Sequence, residues 1–161
     1  MIDALEYRRV VGRFATGITV VTALLDGEQH AMTCNSFTSV SLDPLLVLFC
    51  AEKVARFHDV VLESGEWAVS VLSTTQEGAS RHFAHRGRPL DGQFEGYPWT
   101  AGPVTGAVVL DGCVASLECR TVSLLDAGDH TVVLGEVIGL GLPDPDGHPL
   151  LYVEGRYRTL A

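Results

Sequence analysis

Thr33, Asn35, Ser36, Thr38, Ser39 and Ser41 crowd into nine residues, and the apolar run from Leu45 to Phe49 follows almost directly. Neutral hydroxyl and amide groups at this density can line the polar edge of a bound molecule, or they can cap the backbone of their own strand and turn. A buried hydroxyl without a partner is costly, so the stretch must serve one purpose or the other. Lys53, the sole lysine, comes just after it, and Arg81, Arg86 and Arg88 form a second local group of cations. That grouping suits a small anionic ligand even on a chain whose net charge is −9.

Nothing in the sequence assembles a self-sufficient catalytic apparatus. None of the six histidines sits in an H-E-x-x-H spacing, and neither a G-x-S-x-G elbow nor a G-x-x-x-x-G-K phosphate loop occurs. Cys34, Cys50, Cys113 and Cys119 show no C-x-x-C spacing, so metal clusters and disulfide frameworks are not expected, and small buried thiols are. Polar stretches at the ends of apolar strands suit a cofactor that brings its own reactivity.

These residues need elements to hold them. Residues 3 to 15 place Leu5, Val10, Val11 and Phe14 on one side of a helix that Asp3 can cap. The β-branched runs around "DGEQ" predict two antiparallel strands, and Asp43-Pro44 opens a third over 45 to 50. A short helix over 53 to 63, a strand over 66 to 73 and a helix over 74 to 86 with Thr74 or Thr75 near its N-terminus follow. The Gly- and Pro-rich segment 87 to 103 reads as a long loop. Two long strands over 107 to 125 and 130 to 142 flank the turn "DAGD", and 150 to 160 supplies a last short strand. Strands outnumber helices and short turns join neighbours, which favours an antiparallel barrel over a parallel α/β sheet.

The 161 residues fit one domain, 1 to 161, with 47% hydrophobic residues and no apolar stretch near the roughly 18 needed for a membrane helix. The charged, amphipathic start lacks the apolar core of a signal peptide, so a cytoplasmic, non-membrane protein is expected. The acidic balance argues against a nucleic-acid surface.

The stretches "FATGITVVTA", "MTCNSFTSVSLDPLLVLFC", "WAVSVLS", "SRHFA", "GDHTVVLGEV" and "PLLYVEGRYRTL" together, in this order, resemble the short-chain flavin reductases that serve two-component monooxygenases. The resemblance runs nearly end to end. It implies a mainly β protein, a six-stranded antiparallel Greek-key split β-barrel with flanking helices, forming a homodimer with flavin near the subunit interface. It also implies that NADH or NADPH reduces FAD or FMN and that the reduced flavin passes to a separate monooxygenase.

Residue by residue, the resemblance puts Thr33, Cys34, Asn35 and Ser36 at the isoalloxazine edge and Ser39, Val40 and Ser41 nearer the ribityl chain, with Ala51 alongside. Lys53 is expected at the flavin phosphate in preference to Arg56, with Ser80 and Arg81 near the phosphates and Phe83 against the flavin or in the core. His130 is expected to position the nicotinamide, with Arg156 and Tyr157 approaching the same pocket. Hydride passes between the two bound rings directly, so no protein acid or base is expected to be catalytic. Ala31, Cys34 and Leu45 depart from the common pattern without removing a needed donor, and no redox role is assigned to Cys34. A flavin-retaining oxidase on the same barrel and a non-enzymatic flavin-binding barrel are the alternatives.

Overall fold

Asp26 and Gly27 both adopt left-handed backbone, at φ of 51° and 80°, and so make the two-residue turn that matches the twist of a β-hairpin. In the computed structural model, which describes residues 1–160, this turn is one of many short links between strands. The elements in order are α1 (Ala4–Val11), β1 (Thr16–Gly17), β2 (Thr19–Leu25), β3 (Glu28–Cys34), β4 (Thr38–Leu42), β5 (Leu45–Glu52), α2 (Arg56–Ser64) and β6 (Glu66–Val71). After a 3-10 turn at Thr74–Gln76 come α3 (Glu77–Ala84), β7 (Trp99–Ala101), β8 (Val108–Leu110), β9 (Ala115–Ala127), β10 (His130–Gly141), β11 (Leu151–Val153) and β12 (Arg156–Arg158).

The expected elements are recovered with four revisions. The hydroxyl-rich stretch itself forms edge strand β4. The single strand expected over 107 to 125 breaks at Gly112, whose φ of 76° turns the chain between β8 and β9. The loop over 87 to 103 contains β7, which pairs with β8, and the last strand is a hairpin turning at Glu154 and Gly155. The helical segment starts at Thr74, near the expected place, and Ser73 caps it through a capping box with Gln76. Asp3 caps α1 as expected, accepting from the Glu6 N–H at 2.8 Å, but α1 buries none of its residues.

Seven strands form one antiparallel sheet in the order β3-β2-β6-β9-β10-β5-β4. β3 and β4 lie at opposite edges, yet only Asn35, Ser36 and Phe37 connect them. Such a link spans at most about 14 Å, so the sheet must curl until its edges approach. No ladder joins β3 to β4 among the described residues, so the sheet does not close into a barrel, and it holds seven paired segments.

One core lies within the curl, where Trp67 meets Phe49 edge to face at 4.9 Å and α2 contributes Phe57 and Val61. Gly135 on β10 makes room for it, because an added Cβ would stand 2.4 Å from Trp67 Cζ2. Cys119 sits in the same core, and burial pushes its thiol pKa up to about 12. A second core on the other side of β2 packs Ala79 and Phe83 of α3 against Ile18, Val20 and Leu72. Both faces of β2 are therefore covered, which explains its run of five buried residues.

Candidate active site

The link from β3 to β4 is held by a hydroxyl. Ser36 Oγ accepts the Cys50 N–H at 2.9 Å and lies 3.4 Å from the Cys50 carbonyl, while Cys34 Sγ stands 3.0 Å away. Thr19 Oγ1 donates to the Cys34 carbonyl at 2.8 Å. Burial raises the Cys34 thiol pKa, keeping it a neutral donor or acceptor beside Ser36. Thr33 Oγ1 donates to the Ser80 carbonyl at 2.7 Å, and Ser41 Oγ accepts the Asp43 N–H at 3.2 Å.

Four of the five crowded hydroxyls, those of Thr33, Ser36, Thr38 and Ser41, thus bond the backbone, as Ser and Thr often do near turns. Asn35, Ser36 and Thr38 line a cavity of about 630 Å³ together with Phe14, Gly17 and Tyr152. Ser39 and Val40 are exposed on β4, where a register shift falls between Ser39 and Ser41. Ala51 is fully buried opposite Thr131, so its side chain belongs to the core and only its backbone can serve a ligand.

On the other side of Thr33 opens a cleft of about 450 Å³, which takes in Met32, Glu52, Arg56, Arg86 and Arg88. Phe83 forms part of its wall while packed in the second core at 1% exposure. Arg88 is 9% exposed and its guanidinium donates only to neutral oxygens: the carbonyls of Ala31, Phe83 and His85 and the Gln93 side chain. Burial, and next the charge of Arg56, lower its pKa to about 10. Arg56 Nη1 donates to the Arg88 carbonyl at 3.0 Å, and Arg86 pairs with Glu52. An acidic chain therefore concentrates three guanidinium groups around one cleft whose lining holds a single carboxylate.

Lys53 is elsewhere. Its ammonium binds Asp126 and the Gly128 carbonyl on the β9–β10 turn, whereas Arg56 lines the cleft. Periodicity could not reveal this, because the direction of the side chain at the end of β5 is set by which turn lies across from it.

His130 opens β10 opposite Glu52, and its Nδ1 lies 2.7 Å from Asp129 Oδ1, which lowers the pKa of that carboxyl. Tyr157 joins a different cluster, with its hydroxyl 2.8 Å from Ser80 Oγ and its ring beneath Arg81 at 4.6 Å. Ser80 is fully buried and Arg81 also pairs with Glu77, whereas Arg156 is exposed on β12. Thr33, Ser80, Arg81 and Tyr157 are thus brought together, while among the described residues no ladder carries β12 to the strand of His130. The sequence groups Arg88 with Arg81 and Arg86 and ranks Arg56 below Lys53; that Arg56, Arg86 and Arg88 share one cleft is set by the tertiary fold, which no local pattern encodes.

A family described as "Flavin reductase like domain" matches residues 11–161. An NADH-dependent FAD reductase of Streptomyces globisporus is 46% identical, over 99% of this chain and 87% of its own. The reductase subunit HsaB of a flavin-dependent monooxygenase from Rhodococcus jostii is 36% identical over 97% of this chain and 77% of its own. Among solved structures, the Streptomyces globisporus NADH:FAD oxidoreductase SgcE6 in complex with NAD and FAD fragments superposes with a TM-score of 0.93 at 45% identity, over 99% of this chain and 93% of that one. BorF, the flavin reductase component of a bacterial two-component tryptophan halogenase, does so with a TM-score of 0.92 at 42% identity, over 98% of each. With a match this continuous, from the helix α1 through the last hairpin, the chain belongs to the flavin reductase like family.

Proposed function

We propose that this chain is an NADH-dependent flavin reductase that accepts FAD or FMN and releases the reduced flavin to a separate monooxygenase. The observation that carries the reading is the 46% identity, over 99% of the chain, to an NADH-dependent FAD reductase. The donor set fits a flavin: neutral groups around Asn35 and Thr38 suit the ring and its tail, and the cleft of Arg56, Arg86 and Arg88 suits the phosphate. A flavin supplies the redox chemistry when bound, and the chain's part is to hold ring and nicotinamide at reacting distance. His130 is assigned to the nicotinamide, and Ser80, Arg81 and Tyr157 to the wall between the two.

The architecture is read as a six-stranded split barrel of one domain, in which β3 and β4 are one strand bent at Asn35–Phe37, so that seven paired segments reduce to six. The apolar side chains left exposed on α1 and after it, Leu5, Val10 and Phe14, support a homodimer, and no helix among the described residues is long and apolar enough to cross a membrane. A cytoplasmic site of action completes the proposal.

The test is NADH oxidation followed with free flavin in large excess. The reductase turns over many flavins per chain and shows saturation in flavin; an oxidase that keeps its flavin would be indifferent to the added pool. Sedimentation near twice the chain mass of 17.3 kDa accompanies it.

A further inference from the structure

We propose that Lys53 is a positioning residue for the nicotinamide step: it clamps the β9–β10 turn and thereby fixes the pose of His130. Three bonds run from this one residue to the turn. Its backbone N–H donates to the Asp129 carbonyl at 2.9 Å, its ammonium donates to the Gly128 carbonyl at 2.7 Å, and the same ammonium binds the Asp126 carboxylate. Asp126 and Gly128 precede His130 by four and two positions, so the clamp holds the backbone immediately before the histidine.

The ladders to β5 and β9 pair the backbone of His130 with Glu52 and Ala127, but its imidazole is held less firmly. Its side chain is 39% exposed, and its ring bonds to Asp129, whose carboxylate is 86% exposed and can move with it. The hairpin turns at Gly128 with a φ of 68°, which glycine adopts without strain. A second fastener lies one residue beyond, where His58 Nε2 stands 2.9 Å from Thr131 Oγ1. Between these two anchors His130 faces Glu52 across the β5–β10 ladder, at the rim of the arginine cleft. An exposed ion pair alone contributes little. Lys53 differs in reaching a carbonyl and a carboxylate of one turn while its own backbone is bound to that turn as well.

The inference rests on the assignment of His130 to the nicotinamide, and the experiment separates the two. Lys53→Met, Lys53→Arg, Asp126→Asn, His130→Ala and the double variant Lys53→Met/His130→Ala are compared for KM(NADH), kcat, flavin affinity by fluorescence quenching, and amide exchange over residues 126–131. Lys53→Met is expected to raise KM(NADH) about fivefold or more with flavin affinity within about twofold of wild type, and Lys53→Arg to restore most of it. Exchange over 126–131 should speed up by about tenfold without a change elsewhere. The double variant should be no worse than His130→Ala alone, because the two residues act as one unit. Asp126→Asn keeps the lysine while weakening its anchor, and should move KM(NADH) and exchange in the same direction if Lys53→Met fails to fold.

A loss of flavin affinity in Lys53→Met with unchanged KM(NADH) would make Lys53 a flavin-phosphate ligand and overturn the clamp. Additive effects of the two substitutions, or unchanged exchange, would do the same. If His130→Ala leaves KM(NADH) unaltered, the nicotinamide assignment itself falls and the clamp with it.

Discussion

The hydroxyl of Ser36 accepts the backbone N–H of Cys50 at 2.9 Å, so a single side chain ties the link between β3 and β4 to the middle of β5. The segment 35–37 carries the groups facing the larger cavity, and its conformation depends on that tie. Ser36→Ala leaves a part-buried Cys50 N–H without its acceptor, at an expected cost of about 1–3 kcal/mol. We expect a lower denaturation midpoint and flavin affinity reduced by about tenfold, read from urea titration and fluorescence quenching on the same sample.

The arginine cleft makes a chemical distinction between flavins. Arg56→Gln should weaken FMN binding by about tenfold to a hundredfold, the worth of one charge-assisted bond, and leave riboflavin, which lacks the phosphate, unaffected. Equal losses for FMN and riboflavin would remove the phosphate from this cleft.

His30 gives the fold a pH dependence. It is 9% exposed, and its pKa lies below the ordinary 6.5, chiefly through burial, with Arg56 and Arg88 adding to the effect and Glu28 opposing it. The unfolded chain therefore takes up a proton at this histidine before the folded one does, so stability is present above pH 6.5 and declines as pH falls below it. Urea midpoints should drop between pH 7.5 and 5.5, and His30→Gln should flatten that slope.

Gly135 predicts a steric outcome. The Cβ of Gly135→Ala would stand 2.4 Å from the Trp67 indole and 3.2 Å from Cys119 Cβ, in a core without slack. Overpacking of this kind costs about 1–3 kcal/mol, and a denaturation curve should shift its midpoint while keeping its slope.

Much of this architecture is legible in the chain. Alternating and β-branched runs announce β2, β5, β6 and β10, and Asp26-Gly27 announces its turn, because local backbone preference and burial agree there. β4 was illegible, since Thr38–Leu42 is an exposed edge whose pattern is set by its neighbour β5 rather than by a core. The site divides the same way. The family motifs point to Asn35, Ser80 and His130 as site candidates, but whether a cation faces the cleft depends on register: the step from Glu52 to Lys53 carries the side chain from the Arg86 partner to the β9–β10 turn. Arg88 lies in a Gly- and Pro-rich segment with no period to assign it a buried face.

The thiols described above have a bearing on chemical durability. Free reduced flavin reacts with oxygen to give peroxide, so a protein that makes it works beside an oxidant of its own product. Peroxide attacks thiolates, whereas Cys34, Cys113 and Cys119 are all buried and held protonated by that burial. Cys50 alone is partly accessible. Oxidative wear on this protein should therefore begin at one sulfur, on the strand to which Ser36 ties the link between β3 and β4.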